Sequence, residues 1–345
     1  MLHVAMTARE RMLAALAGER VDHIPVGPLA VHSCAALVGA SLREYSLSAE
    51  TLAAAVVRYA AVFEPDAVWI SADTWVTAEA MGAEVAAERE DQPVAGNGAA
   101  RVRAPADADA IPPPDPQQSG RYPLMLEATR RVREALGPDA FLVACFDQYP
   151  FSVACALMGI ERAMTAAIEH DDVLAAVMRK AADYAVAYGE ALAAAGADML
   201  SGGDSPAGLL GPALHVEVAA PFEQDVIERL RAATGKPLSL HVCGETTDLL
   251  PAMTATGADV LELDHRVDMA WAAKVCGPEV ALWGNLDPVG VLLRATPAEV
   301  STATRRLVRD MAAAGHRRFI ASSGCTLPVG TPAENLKALF AAARE

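Results

Sequence analysis

The chain has 345 residues, 53% of them hydrophobic, and 44 acidic against 28 basic side chains set a formal charge of -16. A chain so apolar buries a large core and is not disordered, and one so acidic repels nucleic acid and anionic membranes, which are held by cationic contacts. The length exceeds an ordinary domain, yet one α/β barrel with insertions accommodates all of it, so a single domain over residues 1–345 is expected.

Thr7-Ala-Arg-Glu10 reads as a capping box, and it opens a helix running to about Ala17. Asp22-His-Ile-Pro-Val26 is a short first strand, residues 52–63 a helix, and residues 67–73 a second strand ending on a carboxylate. From residue 79 to 123 the order loosens. Val94-Ala-Gly-Asn-Gly98 carries a turn signal suited to a hairpin, and Ile111-Pro-Pro-Pro-Asp-Pro116 excludes regular structure. Helix–strand alternation then resumes at once, so this is an irregular excursion after the second strand and not a domain boundary. A helix over 124–136 and a third strand over 141–146 follow, then helices over 160–169 and 173–195. Residues 198–201 make a fourth strand, 219–233 a helix, 238–240 a fifth strand and 246–256 a helix. Strands over 258–264, 280–283 and 319–322, with helices over 297–314 and 332–344, complete the chain.

Eight strand candidates separated by helices is the count of a (β/α)8 TIM barrel. A doubly wound open sheet explains less, because no glycine-rich phosphate loop follows the first strand. Polar residues gather at the carboxyl ends of the strands, where barrel enzymes build their sites: Asp73, Asp147, Asp204, His241, Cys243, Asp264, Asn285, Asp287 and Cys325. A single aspartate in such a place is more often a helix cap than a catalyst. Asp147 and Asp204 are the candidates for a catalytic role, and the mouth of the barrel is expected to be the main cavity and to contain both.

The most informative stretch is Pro237-Leu-Ser-Leu-His241-Val-Cys243-Gly-Glu245. Alternate residues of a strand share a side, so the imidazole of His241 and the thiol of Cys243 reach one point, while Gly244 lets the chain leave sharply. A second thiol stands after another apolar run, in Ser323-Gly324-Cys325. One histidine and two cysteines at strand ends form the ligand set of a zinc site with an open fourth position. Such a donor set favours binding an exogenous thiol and keeping it as a nucleophilic thiolate, which is the chemistry of sulfur alkylation. Activation of water more often uses histidine and carboxylate ligands. Asp264, at the end of the neighbouring strand, is the candidate fourth ligand, with Glu262 as competitor. The alternatives for Asp264 are a helix cap or an acceptor that orients His241. Cys34, Cys145, Cys155 and Cys276 read as small buried residues.

Over nearly its whole length the chain resembles the uroporphyrinogen decarboxylase superfamily. The likeness rests on Arg9-Glu-Arg-Met-Leu-Ala-Ala-Leu16, Asp22-His-Ile-Pro-Val26, Trp283-Gly-Asn-Leu-Asp-Pro288 and Gly324-Cys325. Decarboxylases of that superfamily carry an N-terminal arginine motif for the porphyrin carboxylates, whereas residues 21–48 here contain one arginine, Arg43. The chain is more similar to the methylcobalamin:coenzyme M methyltransferase branch, in which His-x-Cys and a distant Cys bind zinc. The resemblance therefore implies zinc on His241, Cys243 and Cys325, and methyl transfer between methylcobalamin and a thiol. It also implies a corrinoid protein as partner, since the corrinoid of this branch usually sits on a separate small protein. A more distant likeness to cobalamin-independent methionine synthase places an acidic zinc ligand where Asp264 stands, with glutamate in place of aspartate.

Two other readings remain open at this point: a decarboxylase of a porphyrin-like tetrapyrrole, and a non-catalytic accessory barrel of a corrinoid system. Six scattered cysteines without framework spacing suit a reducing compartment. Arg9, Glu10 and Arg11 interrupt the first apolar stretch, and no run reaches the roughly 20 apolar residues of a membrane span. A soluble cytoplasmic protein, with an oligomer possible, is expected.

Overall fold

A computed structural model describes residues 5–86, the backbone of 94–95, and residues 101–345. The first helix, Ala8–Leu16, begins as its sequence demands: Thr7 Oγ1 accepts from the Glu10 amide, and the Glu10 carboxylate accepts from the Thr7 amide. Among the described residues the strands are β1 (Val68–Ile70), β2 (Val85–Ala86), β3 (Val94–Ala95), β4 (Leu142–Gln148), β5 (Met199–Gly203), β6 (Leu238–Val242), β7 (Val260–Leu263), β8 (Ala281–Leu286) and β9 (Phe319–Ser323). Seven of them form one parallel sheet in the order β1-β4-β5-β6-β7-β8-β9.

The eighth place is held by Pro25, Val26 and Gly27. Val26 bridges Ala321 of β9, with Ala321 donating to Pro25 O at 2.9 Å and Gly27 donating to Ala321 O at 3.0 Å. On its other side Val26 O accepts from the Asp66 amide at 2.9 Å, just ahead of β1. These bonds close the curled sheet into the TIM-like barrel that the strand count implied. The expected first strand shrinks to this bridge because Pro25 has no amide to donate to a ladder.

Helices alternate with the strands and cover the outside. Tyr122–Leu136 turns Tyr122, Met125, Leu126, Thr129 and Val132 inward, the three-and-four spacing of a half-buried helix. Pro150–Met158 is an additional helix, buried on nearly every residue, and its uniform apolarity leaves no period by which to read it. The excursion contains the antiparallel pair β2–β3 and the short helix Pro105–Asp109. Val94 and Ala95 thus belong to a strand and not to a turn, and residues 96–98 of the expected turn lie outside the described residues. Among the described residues no single helix is long and apolar enough to cross a membrane.

Candidate metal centre

Every residue of β6 is buried. Alternation sends Leu240 and Val242 toward the helices, and Ser239 and His241 into the barrel, with Cys243 following at the mouth. The His241 ring is fixed from both sides. Its Nδ1 lies 2.9 Å from the carbonyl oxygen of Glu262, the residue paired with it across β6 and β7. A carbonyl only accepts, so Nδ1 carries a proton and Nε2 is the nitrogen directed to the mouth, where it offers a lone pair once its own proton is lost. Nε2 is 2.9 Å from Cys243 Sγ, which is 3.6 Å from Cys325 Sγ. All three donor atoms lie within 4.8 Å of one another.

These distances fit a tetrahedral ion. With zinc–sulfur bonds of about 2.3 Å, two thiolates stand about 3.8 Å apart, close to the separation found here. The nitrogen–sulfur edge of such a site is about 3.5 Å, so an ion would spread the imidazole and thiol by roughly half an ångström. Two sulfurs and one imidazole are a zinc-type donor set. The three groups also act on one another's protons. Burial works to lower the His241 pKa, but a bond and charge from Cys325 outweigh it and hold the ring up to about 9. The hydrogen bond with Cys325 lowers the Cys243 thiol, while the same contact, reinforced by burial, pushes Cys325 up to about 12.

Cys325 reaches the centre across two strands, since β7 and β8 separate β9 from β6. The chain leaves β9 with the Gly324 amide donating to Leu286 O at 2.7 Å, and it presses directly on the loop after β7. A Cβ at Gly324 would lie 2.4 Å from His265 N and 3.0 Å from His265 Cα, so only glycine passes there. That loop is in turn clamped by Asn285, whose Nδ2 donates to Asp264 O at 2.9 Å and Val267 O at 2.7 Å. Trp283, two residues earlier, donates from Nε1 to Gly27 O at 2.8 Å and ties β8 to the closing bridge. Asp287 accepts from the amides of Val289 and Gly290 and starts the next helical turn. The Trp283–Pro288 stretch is thus the frame on which the Cys325 loop rests.

The Asp264 carboxylate, expected as a fourth ligand, is engaged elsewhere. Oδ2 accepts from the Gly244 amide at 2.9 Å, and Oδ1 accepts from the Arg266 amide at 3.0 Å with His265 Nδ1 at 2.9 Å. Gly244 has φ +94, so Asp264 holds the left-handed turn that follows Cys243. Glu262, the other candidate, is buried under His241 and accepts from the hydroxyls of Ser201, at 2.8 Å, and Ser239. Burial pushes its carboxyl up.

Asp147 and Asp204 are both buried. Each caps a helix whose own N-cap residue supplies no side-chain bond. Asp147 Oδ2 accepts from the Thr77 amide at 2.8 Å, in the first turn of Val76–Ala80. Asp204 Oδ1 accepts from Ser152 N at 2.7 Å and Ser152 Oγ at 2.6 Å, in the first turn of Pro150–Met158. Burial pushes Asp147 up to about 7, and burial followed by the charge of Glu223 pushes Asp204 well up. Neither lines the cavity of about 650 Å³ that lies beside the mouth, which is bordered by His265, Asn285, Met269, Thr302 and Arg306. The expectation that the main cavity would contain both aspartates is thus not met by this cavity. Ser201 and Ser239 were not singled out by sequence reasoning, and Gly324 was noted only as part of the Gly324-Cys325 motif. The available signal was the Ser239-x-His241 alternation, which puts the hydroxyl and the imidazole on one side of β6.

Comparison with known proteins follows the same lines. A family model described as uroporphyrinogen decarboxylase (URO-D) matches residues 7–345. The chain is 28% identical over 347 residues to the methylcobamide:CoM methyltransferase MtaA of Methanosarcina barkeri (strain Fusaro / DSM 804), with 98% of each protein covered. It is 32% identical over 288 residues to the uroporphyrinogen decarboxylase of Roseiflexus sp. (strain RS-1), covering 80% of this chain and 79% of that one. The solved structure of a methyltransferase from Methanosarcina mazei superposes with a TM-score of 0.86 at 26% identity, over 98% of both chains. With nearly every residue inside the family model, the chain belongs to the uroporphyrinogen decarboxylase (URO-D) family.

Proposed function

We propose that this protein is a zinc-dependent methyltransferase that moves a methyl group between methylcobalamin, carried by a corrinoid protein, and a small thiol such as coenzyme M. One observation carries the reading. His241, Cys243 and Cys325 converge at the mouth of a barrel similar over 98% of its length to a methylcobamide:CoM methyltransferase. A zinc ion, when bound, supplies the positive charge that keeps an acceptor thiol ionised near neutral pH.

The remaining work falls to the chain itself. The Glu262 carbonyl selects the His241 tautomer that offers Nε2 to a metal. Asp264 holds the Gly244 turn, and with it the direction of Cys243. Asp147 and Asp204 anchor the mouth by capping helices from neighbouring strand ends, and we assign them that role in preference to a part in the chemistry. The whole chain acts as one domain in this reading, in the reducing cytoplasm where small thiols abound.

The test is direct. Zinc-reconstituted protein is mixed with methylcobalamin and a panel of small thiols, and the absorbance change on demethylation is followed. A zinc-dependent rate, with one zinc per chain lost on replacing either cysteine, supports the reading. No zinc-dependent rate with any thiol or folate acceptor retires it. The second reading, decarboxylation of a tetrapyrrole, draws on the 32% identity to a uroporphyrinogen decarboxylase. It requires a cationic grip that residues 21–48, with Arg43 alone, do not supply. Release of carbon dioxide from uroporphyrinogen without added metal would favour it.

A further inference from the structure

We propose that Cys243 and Cys325 are also an oxidative modification site, a dithiol that a peroxide closes to a disulfide and that small thiols reopen. The inference rests on the proposed function only for the identity of the reducing thiols. The geometry is local. The two sulfurs stand 3.6 Å apart, and a disulfide of about 2.05 Å requires them to approach by roughly 1.5 Å. The backbone is held on both sides of the pair. Directly after Cys243, the Gly244 amide donates to Asp264 Oδ2 at 2.9 Å. On the other side Gly324 passes so close to the next loop that a Cβ there would lie 2.4 Å from His265 N. Closure therefore falls to rotation of the two side chains about their Cα–Cβ bonds.

Selectivity follows from burial and proximity together. Both sulfurs belong to half-buried residues at the barrel mouth, whereas Cys34, Cys155 and Cys276 are buried in the helix and strand layers. Cys145 is half-buried too, but among the described residues Cys243 and Cys325 are the one pair of cysteines in sulfur contact, so only they are placed to close on each other.

One sulfur of the pair attacks a peroxide oxygen, an S–O bond forms, the O–O bond breaks, and one water leaves. The second sulfur attacks the resulting sulfenic sulfur, an S–S bond forms, the S–O bond breaks, and a second water leaves. Two thiols are oxidised by two electrons and one hydrogen peroxide is reduced to two waters. Reopening consumes two small thiols, which leave as their own disulfide. The acceptor substrate class thus doubles as the reductant that restores the metal ligands.

The experiment uses the full chain, stripped of metal or loaded with zinc, and treated with stoichiometric hydrogen peroxide. Free thiols are counted after denaturation and the modified cysteines mapped by peptide mass spectrometry. The stripped protein should lose two of its six thiols as a Cys243–Cys325 disulfide and lose zinc binding at least 100-fold. A small thiol such as 2-mercaptoethanol should restore both, and zinc loaded beforehand should slow the loss at least tenfold. Cys145→Ser should behave as the parent, while Cys243→Ser and Cys325→Ser should form no disulfide. Oxidation that yields sulfinic acids, that pairs other cysteines, or that leaves zinc binding intact would overturn the proposal. These readouts need no methyl transfer, so a protein that closes and reopens the pair but never demethylates methylcobalamin sinks the proposed function and leaves this inference standing.

Discussion

Replacing Gly324 with alanine tests how the second thiol is delivered. The added methyl carbon would lie 2.4 Å from His265 N, 3.0 Å from His265 Cα and 3.1 Å from Asp264 C, all backbone atoms. Ordinary contact begins near 3.4 Å, so one of the two loops must retreat by about 1 Å, an overpacking of the kind that costs typically 1–3 kcal/mol. Metal–ligand distances tolerate only about 0.2 Å, so a shift of that size takes Cys325 Sγ out of ligand range. Structural zinc sites are worth about 10–16 kcal/mol over four ligands, or roughly 3 kcal/mol each, which is about two decades in affinity. The loop after β7 resists moving in its place, because Asn285 holds it through Asp264 O and Val267 O. Zinc affinity is measured by competition with a chromophoric chelator, alongside thermal unfolding of the stripped protein. We expect Gly324→Ala to remain folded and to bind zinc at least 100-fold more weakly. Affinity within threefold of the parent, at unchanged Tm, would refute the argument that this glycine positions the ligand.

Asp147, held near 7 by burial against an ordinary 3.8, favours its protonated form in the folded chain. Between those values the folded state binds the extra proton, so the contribution of Asp147 to stability is greatest below pH 4 and is lost as pH rises toward 7. Asp147→Asn keeps an acceptor for Thr77 N, and should flatten that decline and stabilise the protein by a few kcal/mol at pH 7–8 in urea unfolding. An unchanged pH slope would contradict this, and loss of methyl transfer in the folded variant would return Asp147 to the chemistry. Asp204→Ala strips the cap from Pro150–Met158 and should cost about 1–2 kcal/mol by chemical denaturation while one zinc still binds. Arg11 bonds Asp22 and Asp66, each at 2.5 Å, at the opposite end of the barrel. Arg11→Met leaves the buried Asp66 charge short of a partner, and unfolding should become easier by about 3 kcal/mol with zinc affinity unmoved. A coupled fall in zinc affinity would show that the two ends of the barrel communicate.

What the sequence determined by itself are the features written in local periods. The strand and helix alternation, the Thr7–Glu10 capping box, and the shared side of His241 and Cys243 each depend on residues a few positions apart, and each is found as read. The zinc-type donor set was legible for the same reason, since residue type and strand parity together specify the chemistry. Where several residues must be close without being near in sequence, only the tertiary structure decided. The first strand reduces to Val26 because its partners, Ala321 and Asp66, are distant and Pro25 cannot complete a ladder. Helix Pro150–Met158 was invisible because a segment buried on all sides has no polar face to mark a period. A carboxylate at a strand end reads the same whether it faces the mouth or a neighbouring helix. Asp147 and Asp204 turn to Thr77 and Ser152 because those helix starts lack caps of their own, and Asp264 turns to the amide of Gly244. Cys325 meets Cys243 across two intervening strands only because Gly324 has no Cβ, a steric fact that exists once the β7 loop is packed against it and not before.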